Sequence, residues 1–122
     1  MGTFHISCKI ENHRDRTKAV RIPKLLVDTG SEHTRIPAAT LEKIGVVREK
    51  KDVRFIMANG EVVTRSVGFA ILWVGKNFTI DEVVFAEPGD LVLLGARTLE
   101  GFNLTVDSAR KRLVAAGPLP AA

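Results

Sequence analysis

Leu25-Leu26-Val27-Asp28-Thr29-Gly30-Ser31 is the stretch on which the reading of this chain turns. Three large apolar residues in a row suit a strand with a buried backbone, and an acid follows them with no intervening polar turn. A buried carboxylate without a cation partner is costly, and groups kept at such a cost are often functional. Gly30 permits a tight turn after the acid, and Thr29 and Ser31 bring hydroxyls that can fix the loop and the carboxylate. A plainer reading stands beside this one. Asp and Gly favour turns for local reasons, so an isolated Asp-Thr-Gly is no more than a turn after a strand. The flanking sequence has to decide.

Upstream, Phe4, Ile6, Cys8 and Ile10 alternate with polar neighbours, the period-two mark of a half-buried strand. The charged segment from Glu11 to Lys18 reads as a loop or wide hairpin turn, and Ala19 to Val27 as a second strand. Downstream, Pro37 to Ile44 predicts a short helix, with Pro37 in its first turn and Gly45 ending it in the left-handed region. Strand character returns at Val46. Val53, Phe55 and Met57 alternate up to Asn59-Gly60, a strong hairpin signal. Glu61 to Val74 forms the return arm, Gly75-Lys76-Asn77 turns the chain, and Phe78 to Phe85 is a further strand. After the loop Glu87-Pro88-Gly89-Asp90, the apolar run Leu91 to Leu94 is closed by Gly95. A second short helix spans Ala96 to Gly101, and Leu104, Val106, Leu113 and Val114 suggest a final strand pair. The expected fold is all-β, mainly strands with one or two short helices. Residues 1–116 make a single domain and 117–122 a flexible C-terminal tail. Thr40 to Val46 is loosely echoed by Thr98 to Leu104, which fits either chance or a duplicated strand–loop–helix template.

Composition narrows the function classes. The chain has 122 residues, 45% of them apolar and 26% charged, the balance of one ordinary globular domain. The net charge of +4 raises nucleic-acid binding. The basic residues are scattered, however, and do not interleave with aromatics as a stacking platform requires, so no nucleic-acid partner is expected. Cys8 is the single cysteine; lying in an alternating strand, it reads as a small core residue rather than a nucleophile. His5, His13 and His33 are far apart and lack companion cysteines, so no metal is expected. The start is not that of a signal peptide. No apolar stretch approaches the ~20 residues that span a bilayer. No membrane partner and a cytoplasmic location are the expectations.

The apolar run into Asp28-Thr29-Gly30-Ser31, the tip Ala58-Asn59-Gly60, and Leu93-Leu94-Gly95 before a helix occur in a characteristic order and spacing. In this the chain resembles the retropepsin-like aspartic proteases over about Val20 to Val114. Single-domain bacterial members are especially similar, including Glu87-Pro88-Gly89-Asp90 before Leu-Leu-Gly. The resemblance implies a closed, barrel-like acid-protease fold and an aspartic endopeptidase. It makes Asp28 the catalytic residue, supported by Thr29, Gly30 and Ser31. Thr29 would bond its counterpart across a dimer, Gly30 would admit substrate backbone, and Ser31 would donate to the carboxylate. Glu32 would hold substrate backbone, with His33 and Ile36 lining pockets. Met57, Ala58, Asn59 and Gly60, continuing to Glu61, would form a flap over a bound peptide. One departure is visible. Related viral enzymes often carry Arg directly after the second glycine, where this chain has Ala96; Arg97 follows one position later, with an ion pair to Glu32 open to it.

The implied chemistry needs two carboxylates, and the chain supplies one suitable site. Asp107 follows Leu104-Thr105-Val106 but lacks the glycine, Asp90 precedes its apolar run, and Asp15, Asp52 and Asp81 have no glycine partner. The second acid is then expected from Asp28 of another copy in a twofold homodimer, acting on a peptide or protein substrate with no cofactor. The alternative is a catalytically silent dimerisation or peptide-binding module on the same fold.

Overall fold

The computed structural model describes residues 3–121. Nine strands and two short helices follow one another in the order β1 (Phe4–Asn12), β2 (Ala19–Val27), β3 (Thr34–Pro37), α1 (Ala38–Lys43), β4 (Lys50–Ile56), β5 (Val62–Val74), β6 (Asn77–Ala86), β7 (Leu93–Leu94), α2 (Ala96–Phe102), β8 (Leu104–Asp107) and β9 (Arg112–Ala115). The expectation of a mainly β chain with short helices holds. Seven strands form one sheet ordered β1-β2-β7-β3-β6-β5-β4, and β1 also pairs with β5. That extra pairing bends the sheet into a ring with β4 attached outside it. The barrel-like expectation is thus met by a ring-like sheet rather than a regular barrel. Strands β8 and β9 make a separate two-stranded ribbon.

Alternation along the strands sets the core. Cys8 and Ile10 of β1 and Leu25 and Val27 of β2 are buried, as are Leu72, Val83, Phe85 and Leu94, and the helices contribute Leu41, Leu99 and Phe102. Within the apolar run, Leu26 is only half-buried, because it points to the opposite face from Leu25 and Val27. Burial pushes the Cys8 thiol up to about 12, so it stays protonated and acts as packing, as its strand position suggested.

Several boundaries differ from the sequence reading. Glu11 and Asn12 belong to β1, not to a loop, and both are buried. Glu11 is tolerated because Trp73 Nε1 donates to it at 2.8 Å and Lys9 and Arg16 each approach to 3.1 Å. Burial alone would raise its pKa, but these three partners outweigh burial and hold it below its ordinary value. Asn12 donates to Ile44 O and accepts from Arg14 N–H, tying the turn to the end of α1. Pro37 is the N-cap of α1 rather than a first-turn residue, since it is the last position of β3. Gly45 does adopt φ +75, as predicted for the helix end. Strand β4 starts at Lys50, not Val46. At the far end, Asn103 takes the left-handed conformation that closes α2 and its side chain donates to Gly117 O. The expected flexible tail therefore begins at a bonded residue; its last member, Ala122, lies outside the described residues.

Candidate active site

The geometry around Asp28 follows from one topological feature. Strand β7 lies between β2, to which it runs parallel, and β3, to which it runs antiparallel. The loop that carries the chain from β2 to β3 must therefore pass the C-terminal end of β7. It is pinned there by the backbone: Asp28 N–H donates to Leu94 O at 3.0 Å, Ala96 N–H to Ser31 O at 2.8 Å, and Arg97 N–H to Glu32 O at 3.0 Å. Gly95 makes this closeness possible. A Cβ on it would stand 2.6 Å from the carbonyl oxygens of both Glu32 and His33, well inside contact distance.

A buried hydroxyl chain braces the same place. Gly95 N–H donates to Thr34 Oγ1 at 3.0 Å, and Thr98 Oγ1 donates to Asp81 Oδ2 at 2.9 Å. Thr34 and Thr98 hydroxyls lie 2.5 Å apart. Thr98 has spent its one proton on the carboxylate, so Thr34 must be the donor between them. Both threonines are fully buried, and neither stood out as a site residue in the sequence. A Thr sixty-odd positions from another offers no periodic signal, and the pair is visible only once β3 and α2 are brought together.

The Asp28 side chain sits half-buried at the surface of this braced loop. Its Oδ1 accepts the Gly30 N–H at 2.9 Å, the geometry of an Asx-type turn. The expected donation from the Ser31 hydroxyl is absent; Ser31 turns back through its backbone N–H to Asp28 O at 3.3 Å. Among the described residues no cation stands within ion-pair distance of Asp28.

Asp28 opens into a cleft of about 520 Å³. Gly30, Ser31, Glu32 and His33 continue its loop wall, while Met57 and Ala58 line it from the β4–β5 hairpin. Of the residues singled out from sequence, Thr29, Asn59 and Gly60 do not line this cleft, and Ile36 is buried in the core. The hairpin is a three-residue loop, not the two-residue Asn-Gly turn: Gly60 N–H donates to Met57 O and Met57 N–H to Glu61 O, both at 2.8 Å. Gly60 supplies φ +85, the left-handed step that follows a type I turn in such loops. Asn59 accepts the Glu61 N–H at 2.9 Å and so stiffens the tip.

Two cleft features were not read from sequence. Phe55, Ile56, Val84, Leu91 and Leu93 give the cleft an apolar wall, and two of them stand open, Ile56 at 79% and Leu91 at 61% exposure. The other is Arg35, which lines the cleft from the middle of β3. It is held 3.6 Å from Asp90 Oδ2, yet Asp90 already accepts a two-pronged bond from Arg65 at 2.7 and 2.8 Å and the Glu87 N–H at 2.8 Å. The Arg65 fork is the main reason that the Asp90 carboxyl is lowered to about 2. The expected Arg97–Glu32 ion pair does not form. The Arg97 guanidinium faces Glu82 at 3.6 Å, Asp81 at 3.8 Å and His33 Nε2 at 3.3 Å. The register explains this, since Arg97 meets Glu32 through its own backbone N–H. Lys50 completes the cluster on Glu82 and is the first cause of its lowered pKa.

A family model described as aspartyl protease matches residues 8–113. No curated protein matches the chain.

Proposed function

The chain belongs to the aspartyl protease family, and from that premise we propose that it is an aspartic endopeptidase of retropepsin-like form. Residues 1–116 act as one domain, and two copies build one active site about a twofold axis. The observation that carries the reading is the Asp28 carboxylate, open to the cleft, held by a single backbone N–H on a loop pinned by backbone hydrogen bonds and with no cation beside it among the described residues. Ile56 and Leu91 support the pairing, since large apolar side chains this exposed on a cleft rim suit contact with a second copy or with substrate.

Aspartic proteases as a class share one proton between two carboxylates, because two close negative charges cannot both form cheaply. Carried over to this chain, the ionised Asp28 removes a proton from a water held between the two copies. The water oxygen attacks the peptide carbonyl carbon, while the protonated Asp28 of the partner subunit gives its proton to the carbonyl oxygen. The tetrahedral diol then collapses. The C–N bond breaks as the first Asp28 gives the proton it took from water to the leaving nitrogen. One diol hydroxyl returns its proton to the Asp28 of the partner subunit, which releases a carboxylic acid and an amine and restores the shared proton. Gly30 N–H orients the carboxylate that takes the proton from water. Thr29, exposed beside it, bonds its twin across the axis. Glu32 and His33 contact the substrate backbone at the cleft end, and the tip from Met57 to Gly60 closes over the extended peptide. The chemistry requires no metal or organic cofactor.

The deciding measurement is cleavage of a peptide library by the wild-type chain and by Asp28→Asn, alongside sedimentation over a range of protein concentrations. Loss of cleavage in the variant, with activity that rises with the dimer fraction, is the expected result. Full activity in Asp28→Asn would refute the assignment.

A further inference from the structure

Arg35 presents an unfilled cation to the cleft. Its side chain is 12% exposed, and its Nε and Nη2 are buried with no hydrogen-bond partner among the described residues. Nη1 meets only the Met57 sulfur, at 3.9 Å, and a thioether is a weak acceptor. Asp90 does not fill the gap. Oδ2, the oxygen nearest Arg35, already accepts from Arg65 Nε and from the Glu87 N–H, and it stands at ion-pair distance, not hydrogen-bond distance, from Arg35. Glu87 is 56% exposed and reaches Arg65 only at 3.9 Å. Two guanidiniums thus share the Asp90 carboxylate, and the Arg35 charge lies at the cleft wall with its partnerless nitrogens shielded from solvent.

From this we infer that Arg35 is a specificity-determining residue, selecting an acidic side chain of the bound peptide at one position. The inference rests on the reading of the cleft as a peptide site. A planar guanidinium with open donors matches a carboxylate in two-pronged geometry. Its neighbours across the ladder, Val84 and Leu93, are apolar and line the same cleft, so they screen the charge little from a ligand and strengthen the pairing. Met57 is the cover that must shift. Its side chain is flexible, and it sits on the hairpin rather than in the core. The preference is confined to one position, because Asp28 and Glu32 line other parts of the cleft and disfavour acid there.

The test is affinity selection of a randomised octapeptide library on immobilised Asp28→Asn protein. Two central positions are fixed as Phe-Leu to set the register. Enrichment of Asp and Glu at one defined position is expected. For the best peptide, replacing that acid by its amide should weaken binding about 10–100-fold. In Asp28→Asn/Arg35→Met the acid-to-amide ratio should fall to near one, and in Asp28→Asn/Arg35→Glu the preference should turn to Lys. No acidic enrichment, enrichment spread evenly over all positions, or a preference that survives Arg35→Met would overturn the inference. The library and acid–amide arms need no Arg35 variant, so a variant that fails to fold does not shield the claim. Cleavage by the wild-type chain is scored separately. A protein that selects the acid at one position but cuts nothing would refute the hydrolytic reading and uphold this one.

Discussion

Asp28 and Asp90 are two carboxylates at opposite ends of the same short strand, and they are treated in opposite ways. Asp90 precedes β7 and is heavily bonded: both oxygens bond Arg65, the Glu87 N–H adds a third bond, and Arg35 lies at 3.6 Å. Asp28 lies beside the other end, its N–H on Leu94 O, and its carboxylate takes one neutral donor, from Gly30. A carboxylate locked by a guanidinium fork keeps its charge through moderate acid and has most of its lone pairs engaged. One with a single neutral donor keeps free lone pairs for water. The first arrangement makes a structural staple, and the second suits the reactive group proposed for Asp28. The sequence around each is similar in kind, an acid beside an apolar run, so the difference lies in what the fold brings near.

The contrast breaks most sharply if Asp28 is neutralised. Asp28→Asn keeps the size and the Gly30 bond, so the urea midpoint should hold. Peptide cleavage should fall by roughly 10³-fold or more, on the scale of losing a general acid–base group. Steady-state cleavage with unfolding curves on the same samples checks both halves. Arg65→Ala should do the reverse. It strips Asp90 of its fork while both side chains are mostly buried, 15% and 11% exposed. The expected cost is about 2–3 kcal/mol of stability, below that of fully buried pairs because some solvent reaches these groups. Chemical denaturation measures it, and a change under about 0.5 kcal/mol would remove Asp90 from the role of staple.

Acid titration sharpens the same comparison at a smaller scale. The Asp90 pKa lies at about 2 in the fold against an ordinary 3.8. A depressed carboxyl contributes stability that is fully present above its unfolded value and lost as protons bind the folded state. Stability should therefore decline as pH falls from about 4 to about 2, by about 1–2 kcal/mol from this group. Asp90→Asn should flatten that part of the profile. An unchanged slope would mean that other carboxylates carry the acid sensitivity.

The apolar run into Asp28, the hairpin and both helices were legible because each rests on local pattern: burial of a strand, a turn needing a left-handed glycine, a proline start. Strand β3 was not. It has four residues, includes Arg35 and ends in Pro37, so it lacks both the length and the apolar alternation by which strands are recognised. Losing β3 hid its cleft-facing arginine as well. Glu11 opens the charged run to Lys18 that reads as a loop; its partner Trp73 is distant in sequence and adjacent only through the β1–β5 pairing. Ser31 was expected to serve Asp28 with its hydroxyl, but the loop gives that task to the Gly30 N–H.

The smallest effect tests how the Asp28 loop is held rather than what it does. Thr98→Val keeps the shape but removes the hydroxyl between Thr34 and Asp81. Thr34 then has a proton with no acceptor, and Asp81 loses a donor but keeps the Glu82 N–H at 2.7 Å. The global cost should be near 1 kcal/mol, the scale of one net hydrogen bond. The more informative readout is local. Gly95 N–H donates to Thr34 Oγ1, and a rotated Thr34 no longer presents a lone pair to it. Amide exchange at Gly95 should then accelerate more than exchange at Leu72 in the core. Equal acceleration at both sites would mean that the threonine pair supports the fold as a whole and gives the Asp28 loop no support of its own.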